Sequence, residues 1–168
     1  MSNRHVEWLS EQESETWANV WSFHVWLPTR LEAQLKRDAG ISHYDYFALT
    51  KLWQSPEHTL RMTELASACD MTLSHLSRVV TRLEKQELVQ RLPDPDDGRS
   101  TLAQLTEGGL ALFEQAAPGH VNEVRKLIFD NLEPEEQRHF SDAMSKIVAA
   151  IGNPDHYAGR YGGRPGSR

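Results

Sequence analysis

Cysteine is almost absent from this chain of 168 residues: Cys69 stands alone, so no internal disulfide can form. A disulfide-stapled secreted scaffold is thereby excluded, and a reducing cytoplasm is the expected compartment. Long apolar runs are absent too. No stretch approaches the roughly 20 residues that a membrane span needs, and Met1 to Glu7 lack the apolar segment of a secretory signal, so no membrane partner is expected. Positive charge is in deficit, with 18 basic against 24 acidic side chains and a formal net charge of −6. That balance argues against coating nucleic acid or anionic lipid by bulk charge. Glycine-rich phosphate loops are missing, and no Ser or Cys nucleophile sits in a recognisable catalytic motif. An enzyme is therefore the least favoured class, and no cofactor is expected. The histidines, His5, His24, His43, His58, His75, His120, His139 and His156, are scattered without a His-x-x-x-His pair or a Cys/His cluster. A metal site is not expected, although one assembled in space, for instance from His43, Asp45 and a later histidine, stays open.

What is present is helical periodicity. With 39% hydrophobic and 25% charged residues, the chain has the makings of an ordinary globular core. Ser10 with Glu13 three residues on forms a capping-box pattern, and Gly40 suits a left-handed helix end, so a long helix is expected over 10–40. Its stripe is Trp17, Val20, Trp21, His24, Leu27, Leu31 and Leu35, and Pro28 should kink or divide it. Ser42 and Asp45 open a second helix that Pro56 closes. From Leu60 onward the elements shorten: a brief helix from Met62 to Cys69, a turn at Asp70-Met71, and a helix from Thr72 to Gln86 with Leu73, Leu76, Val79, Val80 and Leu83 inward. Two strand-like runs, Leu88 to Leu92 and Thr101 to Leu105, flank a Pro/Asp/Gly-rich reversal and complete a helix pair with a hairpin wing. Thr106 caps a third long helix with an expected bend at Pro118-Gly119, and Pro134 opens a last one. Beyond Gly152 the composition turns to Gly, Pro, Tyr and Arg, which predicts a mobile tail over 152–168.

Several segments in order resemble one family. They are Glu64-Leu65-Ala66, Leu76-Ser77-Arg78-Val79-Val80, Leu83-Glu84, Leu88-Val89-Gln90-Arg91, Asp97-Gly98-Arg99, and Leu105-Thr106-Glu107-Gly108-Gly109. Together they are similar to the MarR family of bacterial winged helix-turn-helix regulators, and the similarity extends from about Ser10 to Ile151. Family members usually carry glycine where this chain has Asp70 and Glu87. Glycine tolerates positive φ, whereas Asp does so at modest cost and Glu less readily.

The resemblance implies a mainly α winged helix-turn-helix fold with long terminal dimerisation helices. In that division 10–40 and 106–151 pair across a two-fold axis, and 41–105 form the DNA-binding module. The expected partners are a second copy of the chain and a pseudo-palindromic operator in double-stranded DNA, whose adjacent major grooves lie about 34–36 Å apart. The function so implied is transcriptional regulation, as a repressor relieved by a small-molecule ligand. The alternatives are a winged-helix interaction module without sequence-specific DNA binding, or a metal- or redox-responsive regulator.

Within that frame the helix from Thr72 enters the major groove. Thr72 is a good N-cap whose end of the helix suits a phosphate oxygen. Ser74, His75, Ser77 and Arg78 occupy the first two turns, and Arg78 is the preferred base reader because guanidinium bonds guanine O6 and N7 together. Thr81 and Arg82 are assigned to backbone contacts. At the wing, Arg99 resembles the arginine that the family places in the minor groove, and Asp97 is expected to orient a neighbour or cap the turn. The competing reading for Arg78 and Arg99 is a surface ion pair with Glu84 or Asp96. All five tryptophans, Trp8, Trp17, Trp21, Trp26 and Trp53, fall in the first third of the chain. Packing in a dimer core is the simpler reading, and a pocket for a small aromatic effector with Trp21, His24 and Trp53 at its wall is the sharper one. Cys69 lies on the apolar face of its short helix and reads as a buried structural thiol, not a redox sensor.

Overall fold

Local capping chemistry sets the helix starts. In the computed structural model, which describes residues 6–152, helix α1 spans Glu11–Ala39. The Ser10 side chain accepts the Glu13 amide, the Glu13 carboxylate accepts the Ser10 amide in return, and Gly40 closes the helix at φ 71°. The same reciprocal box, Ser42 with Asp45, opens α2 at His43–Gln54. Pro28 does not divide α1, which runs unbroken through it. Helix α3, Met62–Ala68, and helix α4, Leu73–Lys85, form the helix-turn-helix, with Thr72 as the N-cap of α4.

Strand β1 is Thr59–Arg61, and strands β2, Val89–Pro93, and β3, Thr101–Leu105, make the hairpin. The sheet is antiparallel in the order β1-β3-β2, with Leu60 and Arg91 both opposite Ala103. Strand β1 is an addition to the two strands read from the sequence. Helix α5, Glu107–Leu127, starts at the Thr106 cap and continues unbroken through Pro118 and Gly119. Helix α6 is Pro134–Ile151. The expected mobile tail lies outside the described residues except for Gly152.

The core sits where α2, α3, α4, the sheet and the first half of α5 meet. Leu35, Leu49, Leu52, Leu65, Leu76, Val79, Val80, Leu83 and Ala103 are fully buried there. Three positions show how tightly the backbone is set. A Cβ on Gly109 would stand 1.9 Å from the Leu88 carbonyl oxygen, so the approach of α5 to the start of β2 requires glycine. Glu87 holds φ 59° and Asp70 holds φ 52°, the left-handed geometry in which the sequence expectation anticipated strain.

One position differs from the periodicity, and two helices leave their stripes uncovered by the rest of the chain. Leu73 was expected inward and is instead exposed. Every residue of α1 from Glu11 to Trp26 is exposed in the single chain, and α6 buries none of its residues.

Candidate nucleic-acid interface

Helix α4 shows its two faces sharply. Leu76, Val79, Val80 and Leu83 are buried, and Thr72, Leu73, Ser74, Arg78, Thr81, Arg82 and Lys85 are exposed. Thr72 Oγ1 accepts the His75 amide at 3.2 Å and lies 3.2 Å from Ser74 Oγ. The His75 ring meets the edge of Tyr44, with centroids 4.7 Å apart. The start of α4 is therefore braced against α2.

Three arginines beside this surface are held by carboxylates. Arg82 Nε donates to both Asp45 oxygens at 3.0 and 3.1 Å, and its Nη2 donates to Oδ1 at 2.6 Å. Asp45 is 2% exposed, so the pair welds α4 to the start of α2, and Arg82 is engaged internally where the sequence assigned a DNA backbone contact. Arg91 on β2 pairs with Glu84, and its Nη2 donates to the Ser77 carbonyl at 3.0 Å, Ser77 Oγ at 3.3 Å and Thr81 Oγ1 at 3.1 Å. It clamps the wing strand to two turns of α4. Arg61 Nε donates to Asp94 at 2.5 Å, fastening β1 to the base of the wing, and this bond with the Asp96 amide holds the Asp94 carboxyl below the usual carboxylate range.

The wing tip is built around Asp97. Its Oδ1 accepts the Arg99 amide at 3.0 Å and its Oδ2 accepts the Ser100 hydroxyl at 2.8 Å. The Ser100 hydroxyl, then the Arg99 amide, depress the Asp97 pKa. Asp97 thus caps the turn, one of the two roles expected for it. Among the described residues the side chains of Arg78, Lys85 and Arg99 enter no ion pair. Glu84 is occupied by Arg91, so the pairing that competed for Arg78 does not form. Between α4 and the wing lies a cleft of about 300 Å³ lined by Arg61, Thr63, Leu73, Ser77, Arg91 and Arg99.

The clamp made by Arg91, the Asp45–Arg82 weld and the exposure of Leu73 were not visible in the sequence. Asp45 and Arg82 are 37 positions apart, and the only local signal at Asp45 is its capping role.

The proposed effector wall is distributed. Trp21 stacks at a tilt on His24, centroids 5.9 Å apart, on the exposed half of α1. Trp53 packs on Phe113 at 5.0 Å, beside the core. A separate hollow of about 570 Å³, where α1 meets α2, is lined by Leu27, Pro28, Leu31, Glu32, His43 and Tyr44 and by none of those three. Cys69 is buried. His43 does meet a later histidine, His120, at 5.9 Å, but Asp45 is taken by Arg82, and the described residues hold no group of three metal-ligating side chains.

A helix-turn-helix with a hairpin wing in a three-stranded sheet, and with unpaired arginines on the recognition helix and at the wing tip, defines a winged-helix DNA-binding module. Residues 41–101 match the pattern of the MarR family. The fold is similar to Sco3205, a MarR family transcriptional regulator from Streptomyces coelicolor solved in complex with DNA. The TM-score is 0.85 at 38% identity, covering 91% of this chain and 96% of that one. AbsC, a MarR family regulator from the same organism, gives 0.83 at 33% identity over 87% and 98% of the two chains. The transcriptional repressor YetL of Bacillus subtilis is 29% identical over 112 residues, 67% of this chain. The matched region spans 66% of YetL, just under two thirds of its length. The chain belongs to the MarR family of transcriptional regulators, and these relatives are regulators, not enzymes. No helix among the described residues is long and apolar enough to cross a membrane.

Proposed function

We propose that the protein is a cytoplasmic, homodimeric repressor that binds a pseudo-palindromic operator in double-stranded DNA and is released by a small aromatic ligand. The observation that carries the DNA reading is the division of the cations. Arg61, Arg82 and Arg91 are spent on carboxylates that set the geometry, while Arg78, Lys85 and Arg99 stand unpaired on α4 and the wing. Unpaired guanidinium groups at these two places suit a base edge in the major groove and the negative potential of a narrow minor groove. Thr72 and Ser74 present hydroxyls at the open end of α4, where a phosphate is favoured. Sco3205 was solved on DNA and YetL is a repressor, which supports the same direction. Exclusion of polymerase from the occupied operator suffices as mechanism.

The dimer reading rests on unburied apolar surface. Trp17, Trp21 and Trp26 on α1 are each more than half exposed, and Phe140, Ile147 and Ile151 are exposed on α6. Such a surface needs a partner. The effector reading rests on the Trp21–His24 ring pair in that same region.

Fluorescence anisotropy on duplexes enriched from a random library, with excess scrambled DNA at several salt concentrations, tests the function. Binding that survives competitor by a factor of about 10³ or more, and falls steeply with salt, supports the regulator. Binding that competitor erases would instead leave a winged-helix interaction module. Titration of tryptophan fluorescence with aromatic carboxylates and phenols tests the effector.

A further inference from the structure

Leu73 breaks the chemical pattern of the helix it begins. Of the exposed residues on α4 and its cap it is the one apolar side chain, the others being Thr72, Ser74, Arg78, Thr81, Arg82 and Lys85. It is 48% exposed and lies outside the packed core. It is also the first residue of α4, at the end whose side chains reach base edges when such a helix is seated in the groove. One turn on, Ser77 shares its face, and across the cleft stand Arg99 and Thr101 of the wing. An isolated exposed leucine is commonplace on a protein surface. Here, however, the surface is one that the proposed function presses against DNA, so the side chain must be desolvated against something.

The edges of the base pairs in the major groove present hydrogen-bonding atoms and a single apolar group, the C5-methyl of thymine. We infer that Leu73 is a specificity-determining residue that reads a thymine methyl in each half-site. Ser77 on the same face is polar, and its carbonyl and hydroxyl accept from Arg91. The Thr72 cap and the packing of His75 against Tyr44 brace the first turn of α4, the backbone that carries Leu73. The operator is therefore expected to contain a thymine that no hydrogen bond accounts for.

This inference rests on the DNA-binding reading, and its test keeps the two apart. The full chain selects its operator from a random duplex library. Each thymine of that operator is then replaced in turn by deoxyuridine, which removes only the methyl group. For the wild-type protein, one thymine per half-site should show a loss of about fourfold in affinity on replacement, the effect of one buried methyl-sized group. Leu73→Ala should bind the thymine operator more weakly and no longer distinguish it from the deoxyuridine form. If the wild-type protein binds every deoxyuridine duplex as tightly as the parent, the inference is overturned while the DNA reading stands. The same holds if Leu73→Ala keeps the wild-type sensitivity. If no sequence is enriched at all, the DNA reading falls and the inference falls with it. The deoxyuridine series on the wild-type protein does not depend on how any variant folds.

Discussion

Arg78 and Arg99 have no carboxylate to hold them, whereas Arg82 has little freedom left, and the three should respond differently to truncation. Arg99→Ala is expected to weaken binding to all duplexes, and Arg78→Ala to weaken it and blur sequence preference as well, each by about 1–3 kcal/mol. Titrations against matched and mutated duplexes measure both, and an unchanged affinity for Arg99→Ala would take the wing out of the interface. Arg82→Ala leaves the buried Asp45 carboxylate without its cation. A loss of about 2–3 kcal/mol in urea unfolding is expected, smaller than for a fully buried pair because Arg82 is half exposed. A variant that unfolds like the wild type yet loses affinity would return Arg82 to the DNA surface. His120 adds a pH dependence. Burial, then the charge on neighbouring His43, lowers its pKa to about 4, and burial lowers that of His43. The folded protein then binds fewer protons than the unfolded chain below the ordinary imidazole pKa, so stability should be flat above about pH 7 and fall between roughly pH 6.5 and 4. Melting temperatures across that range should drop by less in His120→Gln. Equal slopes in the two proteins would assign the acid sensitivity to other groups.

At the scale of elements, the joint between the wing and α5 is where the backbone is least forgiving. Thr106 Oγ1 donates to the Glu87 carbonyl at 2.6 Å, the Thr106 amide donates to Leu88, and Gly109 lies against that same Leu88 carbonyl. Gly109→Ala should therefore destabilise by more than about 2 kcal/mol, since the clash is with backbone that cannot rotate away. Glu87→Gly should instead stabilise by a few tenths of a kcal/mol, because relief of the left-handed strain slightly exceeds the extra chain entropy of glycine. Chemical denaturation of both variants checks the opposite signs. The helix starts at Ser10, Ser42, Thr72 and Thr106 were legible in the sequence because a cap is a contact between residues three apart. Strand β1 was not, because its three residues are extended only through their pairing with β3, and Glu57 and His58 at positive φ precede them. Leu73 was misplaced because a period fixes an angle around the helix axis without saying whether a neighbour exists at that height.

At the scale of the whole molecule, half of α1 and all of α6 leave unburied a surface that the proposed dimer would cover. Trp17, Trp21, Phe23, Val25 and Trp26 cover α1 with apolar area that one chain leaves in water. Sedimentation at micromolar concentration is expected to find two chains, and a monomer there would contradict the palindromic operator as well as the dimer. The net charge of −6 belongs to this scale too. It leaves DNA affinity to a few placed cations, so the salt dependence should report a small number of phosphate contacts and not a broad electrostatic coat.

The sequence by itself determined the order of helices, their caps and the hairpin of the wing, because these depend on neighbours a few residues apart or on a repeating period. The Asp-x-Arg turn and the strained positions at Asp70 and Glu87 were pointed to by the family resemblance. Only the tertiary structure decided which cations remain free. Arg61, Arg82 and Arg91 find Asp94, Asp45 and Glu84 through the fold, the first two from more than 30 positions away. A charge written in a sequence does not say whether it faces a carboxylate or the solvent, because that depends on the distance between side chains brought together by packing, and Coulomb attraction follows that distance, not the spacing along the chain.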